Sequence, residues 1–335
     1  MVTMADVARA AGVSVMTVSN VLRDRGRVGE ATRQRVLRTV AETGYAVNLT
    51  ARNLRRGRAD AVALIVPSFD HAYFGDLASR LATLFGERGL HLVVEQSGAS
   101  REGELAALDQ ARLRAYDGVL LSVVGMTAAD LNALAVTTPL VLLGEQEAPA
   151  RFDHVSMANA EGARAAVAHL VAGGSRRIAV VGGEDPRGAA TMATERMAGW
   201  RAALEGAGLA AERGLVVRLE AFEPDAARVA VREAIARDPE IDGVFAVTDQ
   251  VAIGALAGLA DAGLDVPGRV QVMGFDDLRI ARHVAGGLST VDPGAAWIAE
   301  AAADALARRM DDPDAEPRHL TAPARVVARR TTRPA

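Results

Sequence analysis

After residue 60 the chain alternates short apolar runs with stretches of helical periodicity, and the whole series runs through twice. Residues 61–67, 90–95, 118–123 and 140–143 read as strands, separated by helices near 74–88, 101–114 and 128–135. The series restarts with strands at 177–182, 216–220, 243–247 and 270–275 and helices near 195–207, 225–237 and 251–262. Runs this apolar leave no face for water, so the sheets are covered on both sides, and the helices are the crossovers that parallel strands need. The reading is an α/β fold with parallel sheets in two lobes. The first lobe is expected at about 60–158 and again at 290–335, where a helix near 297–309 returns to it; the second is expected at about 159–289.

The first 60 residues break this pattern and carry the opposite charge. They hold 11 arginines against five acids (Asp6, Asp24, Glu30, Glu42, Asp60), a net +6, whereas the rest has 27 basic and 37 acidic residues, a net −10. An arginine-rich head suits a module that neutralises phosphates and releases their counterions, although such an imbalance also fits a solvated surface. The local pattern adds to the first reading. Thr3 can cap a helix over about 4–11, with Asp6 in its first turn; Gly12 supplies a turn, and Ser14 caps a second helix over about 15–23. There Val18, Val21 and Leu22 fall on one face, to pack against Val7, Ala8 and Ala11, while Met16, Thr17, Asn20 and Arg23 point outward. A third helix over about 30–43 repeats the spacing at Val36, Leu37, Val40 and Ala41 and stops at Gly44. The middle helix has a short, uncharged outer face of the kind that lies in a major groove, and a small helical domain for protein contacts fits the spacing equally.

The run from Met4 to Leu22, with Gly44-Tyr45, Asn48, Ala51, Arg52 and Leu54 after it, resembles the DNA-binding signature and hinge of the lactose repressor (LacI) family, and the similarity continues along nearly the whole chain. The resemblance implies a helix-turn-helix headpiece with a hinge helix at 1–58, and at 59–335 an effector-binding and dimerisation domain of the two-lobed type I periplasmic-binding-protein-like fold. It implies double-stranded operator DNA as a partner, bound as a homodimer. By the same resemblance Thr3, Ser14, Val15, Met16, Thr17, Ser19, Asn20, Asn48, Ala51, Arg52 and Leu54 face DNA, with Val15, Met16 and Asn20 at base-reading positions. Leu54 is then the apolar wedge that unstacks a base step in the minor groove. Asn20 departs from relatives that carry arginine there, so the half-site cannot be copied from them.

Parallel sheets place ligands at the carboxyl ends of their strands. In the first lobe that end holds Asp70, His71, Tyr73 and Phe74; in the second it holds residues 191–200, Phe222, Thr248-Asp249 and Gly274-Phe275-Asp276-Asp277. The candidate effector contacts are Asp70, Tyr73, Phe74, Arg196, Trp200, Phe222, Asp249 and Asp276. Aromatic walls, one guanidinium and several carboxylates suit a sugar, or a purine or nucleoside that would stack. The resemblance puts effector contacts on Arg196 of an Arg-x-x-Gly-aromatic motif (Arg196, Gly199, Trp200) and on Asp276. It also marks Thr248 as a departure from the usual asparagine. Plainer roles exist: Tyr73, Phe74 and Trp200 also suit a core, Asp249 and Asp277 also cap helices or tie loops, and a lone His71 is more often structural.

An enzyme is not expected. The six histidines show no metal spacing, no Gly-x-Ser-x-Gly elbow is present, and a chain without lysine has neither a Walker A loop nor a Schiff base. No cofactor and no metal are expected. The absence of cysteine fits a reducing compartment. Residues 1–7 lack a basic-then-apolar leader and no apolar run approaches the roughly 20 residues of a membrane span, so a cytoplasmic protein without membrane contact is expected. The tail at 325–332 is strand-like and lacks leucine heptads, which points to a dimer and not a coiled-coil tetramer.

Overall fold

The computed structural model describes residues 2–22, 26, 28–45, 58–146, 148–185 and 190–334. The chain divides into two compact units, Met1–Ala59 and Asp60–Ala335.

The first unit contains α1 (Met4–Ala11), α2 (Val15–Leu22) and α3 (Glu30–Thr43). Thr3 Oγ1 accepts from the Asp6 N–H at 3.3 Å while Asp6 accepts from the Thr3 N–H at 3.0 Å, a reciprocal cap of the kind worth about 1 kcal/mol. Gly12 ends α1 at φ 64°, a conformation costly to any residue with a Cβ. Ser14 Oγ then accepts from the Thr17 N–H at 3.0 Å and starts α2. Val7, Ala8, Ala11, Val18, Val21 and Val36 form the core, with Leu22, Val40 and Tyr45 packed around it. One expectation changes in α3. Leu37 is 40% exposed and Ala41 is exposed, whereas Thr39 is buried. The Thr39 hydroxyl can face inward because it donates to the Arg35 carbonyl one turn back, at 3.0 Å.

In the second unit β1 (Ala61–Val66), α4 (Ala72–Glu87), β2 (His91–Gln96), α5 (Arg101–Ala107), α6 (Gln110–Leu113), β3 (Gly118–Ser122), α7 (Ala128–Ala133), β4 (Leu140–Leu143) and β5 (Asp153–Met157) build the first lobe. The single helix expected over 101–114 is two short ones, because Asp109 breaks the run and caps the second through the Ala111 N–H at 2.9 Å. The second lobe follows with α8 (Asn159–Ala172), β6 (Ile178–Val181), α9 (Met192–Gly206), β7 (Val216–Val217), α10 (Pro224–Arg237), β8 (Gly243–Ala246), α11 (Asp249–Asp261) and β9 (Gln271–Met273). The chain closes with β10 (Thr290–Asp292), α12 (Ala295–Asp311), β11 (His319–Ala322) and β12 (Arg325–Val327).

The first sheet has the order β11-β5-β4-β3-β1-β2 and the second β7-β6-β8-β9; every pairing in both is parallel. Along β1 the side chains alternate between layers. Val62, Leu64 and Val66 meet Leu77, Leu81 and Phe85 of α4 and the apolar face of α12, while Ala63 and Ile65 meet Leu113, Met126 and Leu131 on the other side. The helix α12 is fastened to β5 by a charge inside the fold: Asp153 is fully buried and takes Arg308 at 2.6 Å and Arg309 at 2.7 Å. Two guanidinia and the Arg318 N–H give that carboxylate the partners that burial demands.

The return of the chain is more divided than the sequence suggests. Residues 295–322 pack on the first sheet, but β12 pairs with β10, and Thr331 then hydrogen-bonds to Val272 and Ser289. Residues 325–334 therefore run against the second lobe, and the chain passes between lobes after β5, between β9 and α12, and after β11.

Candidate functional site

On the headpiece, α2 buries Val18 and Val21 and turns Val15 and Met16 outward, 47% and 70% exposed. Thr17, Ser19 and Asn20 are half-buried beside them, and the Thr3 and Ser14 side chains are engaged in the two caps. Together Val15 and Met16 give the outer face of α2 two adjacent exposed apolar side chains. Arg23, Asn48, Ala51, Arg52 and Leu54 lie outside the described residues.

In the second unit the carboxyl ends of the two sheets face one cavity of about 260 Å³. From the first lobe come His71, Tyr73 and Phe74 at the start of α4, Glu145 after β4, and Met157 at the end of β5; from the second come Arg196, Phe222, Thr248 and Asp276. Tyr73 and Phe74 meet edge to face with centroids 5.3 Å apart, and the His71 ring lies 6.1 Å from Phe222 across the cleft. Burial holds the His71 imidazole below its ordinary pKa, so it is a neutral wall, and pushes the Tyr73 phenol up, so it is a hydrogen-bond donor.

Arg196 forms the floor. Its helix α9 comes close to α8 because Gly199 has no side chain: a Cβ there would lie 2.2 Å from the Ala160 carbonyl oxygen. That approach brings Asn159, the first residue of α8, to Arg196. Arg196 Nε donates to Asn159 Oδ1 at 2.8 Å, Nη1 donates to Asp276 Oδ1 at 3.2 Å and to the Val247 carbonyl, and Nη2 reaches Met157 Sδ at 3.7 Å. Its plane stacks on Phe275 at 3.6 Å. Asn159 Nδ2 in turn donates to Glu145 Oε1 at 2.8 Å. A hydrogen-bonded chain thus runs from Glu145 of the first lobe through Asn159 and Arg196 to Asp276 of the second. Burial raises the Asp276 carboxyl to about 6 against the opposing pull of Arg196. Asp276 also sits at φ 115°, a strained backbone that aims it inward.

The structure separates the remaining candidates. Tyr73, Phe74, Arg196, Phe222 and Asp276 come together at the cavity. Trp200 does not: it is fully buried in the second-lobe core, with its indole N–H donating to the Ile178 carbonyl at 3.0 Å. Four residues after Arg196, Trp200 lies on the same face of α9 but one turn further along the helix, past the cavity and within the core. Asp249 is also away from the cavity, fully buried where it accepts from the Leu278 N–H at 2.8 Å and the Thr290 hydroxyl at 2.5 Å. Asp70 is exposed outside it: its carboxylate accepts from the Ser68 hydroxyl at 3.1 Å and its carbonyl from Gln250 at 3.1 Å. Asp277 ties Arg329 of the tail. Thr248 does line the cavity, with its hydroxyl oxygen committed to capping α11 through the Val251 N–H at 3.1 Å. Sequence reasoning missed Glu145 and Asn159. Glu145 follows the expected strand 140–143 at its carboxyl end, so the strand-end rule marks it; Asn159 follows β5, whose mixed polarity gave no strand signal.

Residues 3–48 match the bacterial regulatory proteins, lacI family, and residues 167–332 match the periplasmic binding protein-like domain. A solved transcriptional regulator of the LacI family from Sanguibacter keddieii DSM 10542 is 39% identical, with a TM-score of 0.74 over 82% of this chain and 98% of its own. The HTH-type transcriptional regulator AscG of Escherichia coli (strain K12) is 30% identical over 87% of each chain. The transcriptional regulator CelR, solved as a cellobiose complex, is 28% identical with a TM-score of 0.71 over 99% of this chain and 100% of its own. No helix among the described residues is long and apolar enough to cross a membrane. A capped three-helix head that exposes Val15 and Met16, a two-lobed parallel α/β body with a polar-floored cavity, and relatives of this identity over nearly their full lengths lead to one conclusion: the chain belongs to the LacI family of bacterial transcription regulators.

Proposed function

We propose that the protein is a cytoplasmic, ligand-responsive repressor that binds a palindromic operator as a homodimer and whose operator affinity is set by a sugar held between the two lobes. The observation that carries the effector part is the cavity floor: one buried guanidinium shared by Asn159 and Asp276, under aromatic side chains from both lobes. Hydroxyl groups supply donors and acceptors to such a floor, and the faces of a pyranose lie against Tyr73, Phe74 and Phe222. The cellobiose bound by the relative CelR supports the same ligand class. A cavity of about 260 Å³ is at the small end of ligand sites, which favours an effector the size of a monosaccharide.

The DNA part rests on α2. Met16 and Val15 reach base edges and thymine methyls, Asn20 pairs with adenine, the hinge residues Asn48, Ala51 and Arg52 contact DNA, and Leu54 is the wedge in the minor groove. A headpiece reads few bases, so two-fold symmetry doubles the contact and sets the palindrome. Effector binding acts by favouring one lobe arrangement, and it shifts the DNA equilibrium only by its differential affinity for the two.

A purine or nucleoside is the second reading, favoured by the His71–Phe222 approach at 6.1 Å, which suits stacking of a heterocycle. A thermal-shift panel of neutral sugars, nucleosides and purines on the full-length protein separates the two. An effector at 100 times its Kd adds about 2.7 kcal/mol, a shift of several degrees. A shift confined to purines or nucleosides would replace the sugar reading.

A further inference from the structure

The charges around the cavity do not balance, and the imbalance falls on a residue outside the usual motifs. Among the described residues lining it, Arg196 is the only arginine, while Glu145, Glu184 and Asp276 bring three carboxylates; His71 is neutral. Arg196 is already engaged: three of its donor contacts go to Asn159, Val247 and Asp276. Glu145 gets its place from Gly144, whose φ of 117° turns the chain at the end of β4, where any Cβ would lie 3.0 Å from the Val123 carbonyl oxygen. Burial pushes the Glu145 carboxyl above the ordinary range, against the pull of the Arg196 charge and of Asn159 Nδ2 at 2.8 Å, with Glu195 a weaker like-charged neighbour. It also borders a second, more polar pocket of about 680 Å³ on the flank of the cleft, lined by Glu195, Gln146, His154 and His319. Burial without enough donors is unfavourable for a carboxylate, so this wall gains most from a ligand that brings O–H or N–H groups, and least from an anion.

We propose that Glu145 is a specificity-determining residue that restricts the effector to a neutral or amino-substituted sugar and excludes phosphorylated and acidic sugars. The inference rests on the sugar reading above. A phosphate would bring two further negative charges beside Glu145, Asp276 and Glu184 with one guanidinium to offset them. An ammonium or hydroxyl at the same position completes the hydrogen bonding of Glu145.

The test is calorimetric titration of the full-length protein with matched triads in the gluco, galacto and manno series: the hexose, the 2-amino-2-deoxyhexose and the hexose 6-phosphate. In at least one series the neutral or amino sugar should bind 30-fold or more tighter than its phosphate. Glu145→Gln keeps the carbonyl oxygen that accepts from Asn159, so the fold should hold, as an unchanged melting temperature checks. In that variant the preference over the phosphate should shrink about tenfold. A phosphate that binds the unaltered protein as tightly as its neutral partner overturns the inference while leaving the sugar reading intact, and it does so whether or not the variant folds. A folded variant with unchanged ratios overturns the role of Glu145. Absence of binding by every member contradicts the sugar reading and the inference with it.

Discussion

Gln250 Oε1 of the second lobe accepts from the backbone N–H of Ala72 in the first lobe at 3.0 Å, and the same amide donates to the Asp70 carbonyl at 3.1 Å. One side chain thus uses both ends to hold the start of α4, the segment that carries His71, Tyr73 and Phe74. Arg279, in the turn at Arg279–Arg282, lies 3.4 Å from Asp76 of α4 and makes a second link between the lobes, and Gln146 donates to the Ala190 carbonyl at 2.7 Å on the other flank. Gln250→Ala should remove about 1–2 kcal/mol from the closed arrangement, since an exposed pair of hydrogen bonds is worth roughly that. Effector affinity should fall 5- to 30-fold with little change in melting temperature, as calorimetry and a thermal melt would read. Unchanged affinity would mean the latch does not support closure.

Trp200→Phe discriminates between a core and a ligand role. The substitution keeps most of the packing and leaves the Ile178 carbonyl without its donor, a loss of about 1–3 kcal/mol in a chemical denaturation curve. Effector affinity of the folded variant should stay within twofold. A larger loss would return Trp200 to the binding site.

Met16 is 70% exposed, so Met16→Glu should leave headpiece stability within about 0.5 kcal/mol while placing a negative charge on the face proposed to meet DNA. Fluorescence anisotropy on a palindrome selected by the protein from a random pool should show operator affinity falling at least 100-fold, with effector binding intact. Retained operator affinity would remove α2 from the interface.

The Asp276 carboxyl, raised to about 6 by burial, gives effector binding a pH dependence of definite sign. On the proposed reading, Asp276 accepts from the effector when ionised above pH 6; as pH falls through 6 it takes up a proton and that acceptor weakens, so affinity should drop several-fold between pH 7.5 and 5. The linkage to stability runs the other way. The folded pKa lies above the unfolded value, so the folded state binds the extra proton, and this group's penalty at neutral pH is relieved as pH falls from 6 toward 4. In Asp276→Asn the part of this drop centred near pH 6 should be lost.

The two-lobed parallel fold was legible because both sheets are covered on both faces and their strands are correspondingly apolar. What escaped was polar or out of register. The strand β5 carries Asp153, His154 and Ser156, and it stays in the sheet because Asp153 is paired with Arg308 and Arg309 far along the chain. In the site, Arg196 and Asp276 stand out by motif, whereas Trp200 shares a motif and a helix face with Arg196 but lies one turn further along α9, inside the core, a distinction of depth that spacing alone does not make. Asp249 looked like a contact because it follows a strand; its partners Leu278 and Thr290 come from later segments that no local pattern joins to it. Glu145 and Asn159 meet because β4 and β5 pair side by side and end at the same edge, and Arg196 joins them when α9 packs on α8 through Gly199.

The central claim is that occupancy of the cavity changes operator binding. The most direct measurement is the affinity of the full-length protein for its selected palindrome, by anisotropy at fixed salt, with and without a saturating amount of the sugar that raises its melting temperature. A coupling of 1–3 kcal/mol, about a 5- to 150-fold change in operator affinity in either direction, is the expected result. Operator affinity that stays the same within twofold while the sugar is demonstrably bound would contradict the account.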